Sequence, residues 1–324
     1  MTLARVRMNA LDTEVSALGF GCASLGSRVA PSAGLAALER AYDAGVTWYD
    51  VAPSYGDGQA EVLLGRFLAN HDRRSVQVLT KVGIAPPQPS PAARMIRPIM
   101  RAAVAAVPGL RSVVRRRRPG ATKLPLEAAL IERSLDASLR RLGTDYVDVL
   151  ALHDATPEEA TRDDVRHALE AAVESGKART VAIASSPEAN ATGVTASSLY
   201  GLVQMGNSLL DPGLAQFRSI ARRHVDVVTH SVFGNDGAIA QLAARIKHDP
   251  PLYNRITETG YDGEPSTIAA DMLADFAFSD NSEGVIIVSM FTERHLRHNL
   301  TRHALSPDPA TIRMLAARLG YNRT

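Results

Sequence analysis

The chain has 324 residues, 45% hydrophobic and 22% charged, with a formal net charge of +2. That length suits one α/β barrel domain of about 250 residues plus loops, spanning 1–324, and the near-neutral charge excludes a global pull toward nucleic acid or membranes. Cys22 is the only cysteine, which excludes an intramolecular disulfide or a multi-cysteine metal site.

The opening residues lack the apolar core of a signal peptide, and no stretch approaches the roughly 18 apolar residues of a membrane span. A cytoplasmic location is expected, with the Asn190-Ala191-Thr192 sequon accidental. The segment VRMNALDTEVSALGFG reads as a β-hairpin turning near Asp12-Thr13, placed to plug the bottom of a barrel before the strand Leu18 to Gly21. Helix 32–44, strand Thr47 to Asp50, helix 58–70 and strand Val76 to Lys81 follow. After a basic insertion at about 85–123 come helix 125–141, strand Tyr146 to Leu152, helix 157–175 and strand Thr180 to Ala184. A less regular helical pattern at 190–199 precedes strand Leu202 to Met205, helix 212–224 and strand Val225 to His230. The pattern ends with helix 264–278, strand Val285 to Val288, helix 292–302 and an extra C-terminal helix at 307–319, while 207–213 and 231–264 read as loops. Eight short apolar runs alternating with amphipathic helices predict a closed (β/α)8 TIM barrel.

Strand C-termini face the active site in such a barrel, so polar residues that end a buried strand draw attention first. Asp50 closes the second strand, Tyr55 follows in DVAPSYGDGQAEVLLG, Lys81 closes the third strand and His153 follows the fourth in YVDVLALHD. These four make a coherent chemical set. A hydride moving from a nicotinamide to a carbonyl carbon creates an oxyanion, which needs a proton donor more acidic than free tyrosine at about 10. Lys81 can supply the charge that acidifies Tyr55, Asp50 can hold the lysine, and His153 can orient the carbonyl through a hydrogen bond.

Asp50-Val51-Ala52-Pro53-Ser54-Tyr55-Gly56 with Glu61 and Gly65, then Lys81 and His153, resembles the aldo-keto reductase signature. Leu142-Gly143-Thr144-Asp145-Tyr146-Val147-Asp148, Gly176-Lys177-Ala178-Arg179, Gln204 and Asn299 extend the likeness over nearly the whole chain. Leu18-Gly19-Phe20-Gly21 and His153-Asp154 are most similar to the aldose dehydrogenase-like branch. The resemblance implies an NAD(P)-dependent oxidoreductase interconverting an aldehyde or ketone and an alcohol, with Asp50, Tyr55, Lys81 and His153 catalytic and Tyr55 the general acid/base. It implies a small carbonyl or hydroxyl substrate, no nucleic acid partner and no metal. Gly65 is expected to serve helix packing, and Glu61 to favour a helix N-terminal turn.

The departures are as informative. The family's Ser-Asn pair that grips the nicotinamide carboxamide reads Ala184-Ser185 here, and the aromatic that stacks on the ring is replaced by His230, followed by Ser231 in HSVFGNDG. Imidazole stacks less broadly. After the eighth strand, Ser289, Arg294 and His295 stand where a 2′-phosphate would be met, near the N-terminus of a helix that suits an anion. Asn299 holds the adenine-contacting place, with His298 where a Glu is usual. NADP(H) is therefore favoured over NAD(H), at reduced affinity. The alternative is a redox-poor aldo-keto-reductase-like binding or regulatory subunit with weak nicotinamide affinity; a lyase or isomerase using the same proton-transfer set is a third reading.

Gly19-Phe20-Gly21 lacks the third glycine of a dinucleotide fingerprint, the nine histidines show no HExxH spacing, and Ser185, Ser186 and Ser208 lack a nucleophile elbow. The insertion carries Arg94, Arg97, Arg101, Arg111 and Arg115 to Arg118 with no Asp or Glu. It reads as a solvated basic loop, or as a surface for an anionic ligand or membrane lipid. Oligomeric state and substrate identity are not encoded in any readable motif.

Overall fold

In the computed structural model, which describes residues 3–85, 122–234, 237–305 and 309–318, an antiparallel hairpin comes first. Strands β1 (Arg5–Met8) and β2 (Thr13–Ser16) pair from Arg5↔Ser16 to Met8↔Thr13. A 3-10 turn over Asn9–Leu11 links them and ends on Asp12 at φ 51°, a left-handed conformation that aspartate tolerates. Val6, Met8, Leu11 and Val15 pack against Trp48, Leu79, Val149, Leu202, Val228 and Val285, so the hairpin closes the N-terminal end of the barrel. The Ala10 N–H and Asn9 Nδ2 both donate to the Asp226 carboxylate, at 2.7 and 3.1 Å. These bonds supply partners for backbone and side-chain groups that the plug would otherwise bury unpaired.

The barrel strands are β3 (Leu18–Gly21), β4 (Trp48–Asp50), β5 (Gln77–Val82), β6 (Val147–His153), β7 (Ala178–Ala184), β8 (Tyr200–Gly206), β9 (Asp226–His230) and β10 (Val285–Val288). All pair in parallel, each with the next, and β10 closes the ring on β3 through Ile286↔Leu18. Both faces of these strands are covered, which is why runs such as VDVLALH are apolar almost throughout rather than alternating.

Around the barrel lie α1 (Pro31–Asp43), α2 (Ala60–Leu68), α3 (Ala128–Leu142), α4 (Pro157–Thr161), α5 (Asp163–Glu174), α6 (Pro187–Ala196), α7 (Gly213–Ile220), α8 (Ala238–His248), α9 (Pro250–Glu258), α10 (Pro265–Asp280), α11 (Glu293–Ala304) and α12 (Pro309–Arg318). Local chemistry sets their ends. Gly143 at φ 65° stops α3, donating its N–H to the Leu139 carbonyl. Thr156 and Glu159 form a reciprocal capping box on α4. The helix expected over 157–175 is broken at Arg162, whose extended ψ of 135° starts α5 afresh. No helix among the described residues is long and apolar enough to cross a membrane.

The segment expected as a loop over 231–264 contains α8 and α9. Their Leu242, Ile246, Leu252 and Ile256 join Leu209, Tyr261, Ile268, Met272, Leu273 and Phe276, with Ile312 and Leu315 of α12, in a satellite core beside the barrel. The basic insertion at Arg94, Arg97, Arg101, Arg111 and Arg115 to Arg118 lies outside the described residues. Its two ends form a short antiparallel stem, with Ile84 opposite Lys123 and Ala85 N–H bonded to the Thr122 carbonyl at 2.9 Å. The stem continues from β5, so it leaves the barrel at the same end as Lys81.

Candidate active site

Neighbouring strands bring the sequence-predicted residues together. Asp50 and His153 end β4 and β6, and Lys81 is next to last in β5, which lies between them. Tyr55 is carried back over them by a 3-10 turn, Tyr55–Gly58, in which Gly56 has φ 58° and Asp57 φ 56°. A Cβ on Gly56 would lie 1.7 Å from the Leu25 carbonyl oxygen, so only glycine lets this turn close against the loop after β3. Asp154 and Ser231, directly after β6 and β9, also adopt left-handed φ values of 60° and 61°. Three of the four non-glycine residues with positive φ among the described residues therefore ring the mouth, where strain commonly accompanies function.

Lys81 Nζ donates to Asp50 Oδ1 at 2.5 Å and reaches the Val51 carbonyl at 3.4 Å. The same ammonium lies 4.9 Å from the centre of the Tyr55 ring. The His153 imidazole stands edge-on to that ring, at 6.0 Å between centroids and 85° between planes. Asp50 and Lys81 are almost fully buried, so their charges act on Tyr55 with little screening.

Burial pushes the Tyr55 phenol above its ordinary value; Lys81 pulls it back and Asp50 pushes it further up. Burial also works against the Lys81 ammonium, but Asp50 and then Tyr55 carry it above the ordinary lysine value. For His153, burial first and the charges of Lys81 and His230 next lower the imidazole to about 3. Burial takes His230 down to about 4, opposed by Asp50 and helped by Lys81. The ensemble at neutral pH is a protonated phenol, a lysine ammonium and two neutral imidazoles. Cys22, next to Asp50 and Lys81, has its thiol raised by burial and then by Asp50, which leaves it a packed thiol and not a nucleophile.

Toward β7, β8 and β9 the mouth is lined by Ser185, Gln204, His230 and Ser231. Gln204 Nε2 donates to Asp50 Oδ1 at 2.9 Å, while its Oε1 is buried without a partner among the described residues. The Ser185 hydroxyl donates to the Ala155 carbonyl at 2.6 Å, which leaves it only acceptor capacity. His230 Nδ1 meets the Ser231 hydroxyl at 2.8 Å. Ser289, Arg294 and His295 are exposed on the connection from β10 into α11. Thr292 caps that helix by accepting from the His295 N–H at 3.2 Å. Asn299 is fully buried in α11 with its Nδ2 unpartnered among the described residues, and His298 beside it bonds Asp271 of α10 at 2.7 Å.

Two residues take roles that sequence reasoning missed. Asn190 of the sequon is fully buried in α6, and its Nδ2 donates to the carbonyls of Gln204 and Ser185 at 3.0 and 3.3 Å, tying the ends of β7 and β8 together. Glu61 does more than favour a helix N-terminus: it accepts from Thr80 at 2.7 Å and from Arg141 at 2.6 Å, joining α2 and α3 to the strand that carries Lys81. Gly65, one turn on from Glu61, lets α2 approach α3, since a Cβ there would lie 2.7 Å from the carbonyls of Arg141 and Leu142. The four-residue spacing of Glu61 and Gly65 on one helix face was the available signal.

A closed parallel eight-stranded barrel with Asp, Lys and His at the carboxyl ends of adjacent strands, and a Tyr folded back over them, defines a (β/α)8 protein with a polar cluster at its mouth. The chain belongs to the aldo/keto reductase family, whose model matches residues 17–315. It is 32% identical over 147 residues to Aldo-keto reductase AFTS1 of Alternaria alternata, covering 45% of this chain and 38% of that one. It is also 32% identical over 157 residues to a D-threo-aldose 1-dehydrogenase of a Pseudomonas species, covering 43% and 40% respectively. The matched stretch thus spans well under half the length of these curated relatives. Among solved structures, aldo-keto reductase AKR11C1 from Bacillus halodurans superposes with a TM-score of 0.72 at 20% identity, over 98% of this chain and 96% of that one. An aldo-keto reductase from Klebsiella pneumoniae in complex with NADPH gives 0.67 at 20%, over 98% and 95%.

Proposed function

We propose that this chain is an NAD(P)H-dependent oxidoreductase that interconverts a small aldehyde or ketone and its alcohol, with Tyr55 as the general acid/base. The observation that carries the reading is Lys81 Nζ, fixed at 2.5 Å on Asp50 and 4.9 Å from the Tyr55 ring centre, with His153 against the same ring. A bound nicotinamide dinucleotide would supply the hydride. Tyr55 holds the phenolic proton that neutralises the alkoxide, and Lys81 favours its release by stabilising the phenolate left behind. Asp50 keeps the ammonium in place. A neutral His153 offers a ring N–H to the carbonyl oxygen and so orients it without competing as the acid.

The residues present fit such a dinucleotide. Among the described residues nothing meets Gln204 Oε1, an acceptor suited to a carboxamide N–H, or Asn299 Nδ2, a donor suited to an adenine ring nitrogen. Ser185, His230 and Ser231 would border the nicotinamide, and Ser289, Arg294 and His295 a 2′-phosphate, which favours NADP(H) over NAD(H). The NADPH held by the Klebsiella pneumoniae neighbour agrees with that preference. The likeness to D-threo-aldose 1-dehydrogenase favours a sugar-like or similarly small hydroxylated substrate.

Fluorescence titration with NADPH and NADH, on wild type and on Arg294→Ala and His295→Ala, tests the reading. Expected is NADPH preference that weakens in each variant. With Ser185 donating to Ala155 and no Ser-Asn pair, one missing hydrogen bond at about 0.5–1.5 kcal/mol lowers affinity by about one decade relative to a fully equipped site. Absence of binding by either cofactor at millimolar concentration would overturn the oxidoreductase reading and favour the binding-subunit alternative, for which the lost Ser-Asn pair is the motivating observation.

A further inference from the structure

The Asp50 carboxylate is shared in a way the proton-transfer set alone does not require. One oxygen, Oδ1, accepts both Lys81 Nζ at 2.5 Å and Gln204 Nε2 at 2.9 Å. The Gln204 backbone is held on both edges of β8, paired with Ala184 on one side and Val228 on the other. Its carbonyl accepts from Ser185 N–H and Asn190 Nδ2. The far end of the same side-chain amide, Oε1, is buried with no partner among the described residues. A buried acceptor without a donor is costly, and a ligand N–H that reaches it relieves that cost. Nearby side chains do not supply that donor: Ala184 has no polar atom, and the Ser185 hydroxyl proton is already on the Ala155 carbonyl.

We propose that Gln204 is a positioning residue that couples a carboxamide bound at the barrel mouth to the acid, by way of Asp50 and Lys81. The proposal rests on the oxidoreductase reading and deepens it. When a ligand amide donates to Oε1, the Gln204 amide is polarised and its N–H donates more strongly to Asp50. Asp50 Oδ1 then gives less of its negative charge to Lys81. The less neutralised ammonium bears harder on the phenol 4.9 Å from it, and Tyr55 parts with its proton more readily. The other groups facing this set are Cys22 from the loop after β3, His153 from β6 and His230 from β9. The thiol and both imidazoles are neutral at pH 7, so Asp50 and Lys81 are the charges that set the response.

The test follows the Tyr55 phenol directly, by NMR of [13Cζ]tyrosine-labelled protein, with the signal assigned from the Tyr55→Phe spectrum. Two saturating ligands are compared, NADP+ and its 3-acetylpyridine analogue. Both carry the same pyridinium charge, but only the first has amide N–H groups. In wild type the phenol is expected to titrate on the order of half a pH unit lower with NADP+ than with the analogue. In Gln204→Met, similar in volume but without the amide, that difference should vanish. In the ligand-free protein, Gln204→Met should move the phenol upward, because Asp50 is then left to Lys81 alone. Equal titration with the two bound ligands in wild type, or a difference that survives in Gln204→Met, would overturn the coupling. Failure of both dinucleotides to bind, with the ligand-free upward movement intact, would instead sink the oxidoreductase reading and leave the Gln204–Asp50–Lys81 linkage standing; no movement in the ligand-free protein sinks the linkage itself.

Discussion

As the proposed acid, Tyr55 has to stay protonated at neutral pH and yet release its proton to an alkoxide; burial raises the phenol most, while Lys81 lowers it and Asp50 raises it further. Replacing it with phenylalanine keeps the ring that packs edge-on with His153 and removes only the hydroxyl. Carbonyl reduction by purified Tyr55→Phe should fall about 10²- to 10⁴-fold with the circular dichroism spectrum unchanged; wild-type turnover would rule out the assigned role. Adding His153→Ala should cost far less than its single effect implies, since members of one proton-transfer unit are not additive. The pH profile has a definite sign. His153 lies at about 3 and His230 at about 4, so both are neutral through pH 5 to 9 and contribute no step there. The Tyr55 phenol lies above its ordinary value, so reduction should hold level through neutral pH and decline only on the alkaline side, where the phenol loses the proton it must donate. Measured kcat/KM from pH 5 to 10 checks this, and an inflection near 6.5 that disappears in His153→Gln would contradict the neutral imidazole.

At the level of strands and helices, what could be read from sequence was what is carried by local periodicity. The eight strands are buried on both faces and flanked by turn residues, so their apolar runs stand out, and the tetrad was legible because three of its members end such runs. The α8–α9 pair was not: Gly234, Gly237, Pro250, Pro251, Gly260 and Gly263 punctuate the segment like a loop, while its helices gain their stability from the satellite core, a tertiary contact. Asn190 and the bond from Gln204 to Asp50 were hidden for the same reason, since each joins residues that only barrel closure brings together. The Glu61 network shows what such a contact is worth. Glu61 is buried, and Arg141 is its only charged partner among the described residues. Arg141→Ala leaves an uncompensated carboxylate under α2, and the stability measured in urea should fall by about 3 kcal/mol. Because Glu61 also fixes Thr80, next to Lys81, the variant should lose turnover beyond its loss of folded fraction; a stability change under 1 kcal/mol would show that the pair is solvated.

Across the whole molecule, barrel order separates the labour. Strands β4 to β6 and the turn after β4 carry the proposed proton-transfer residues, β7 to β10 border the proposed cofactor path, and the hairpin seals the opposite end. The basic insertion leaves the mouth from β5, and its charge dominates the chain: it holds eight arginines without an acidic residue, so removing it would take the formal charge from +2 to about −6. The remaining chain is net acidic and repels anions, which makes a part for the arginines in recruiting an anionic substrate a testable proposal. Excision is geometrically mild, because Ala85 and Thr122 are already hydrogen-bonded across the stem and a two-residue Asn-Gly turn can join such a pair. The variant lacking residues 86–121 should therefore fold with an unfolding midpoint close to that of the full chain. With an anionic carbonyl substrate, the full chain should lose kcat/KM as salt rises, since charges are screened beyond about 8 Å at physiological ionic strength. The shortened chain should start lower and gain or stay level with salt, because screening then hides a repulsion instead of an attraction. A neutral carbonyl should show neither trend, and pelleting of both proteins with anionic liposomes at low salt separates substrate steering from membrane attachment. Matching salt profiles for the two chains with the anionic substrate, and no liposome binding by either, would leave the insertion without a part in recognition and place its charge in the solvent.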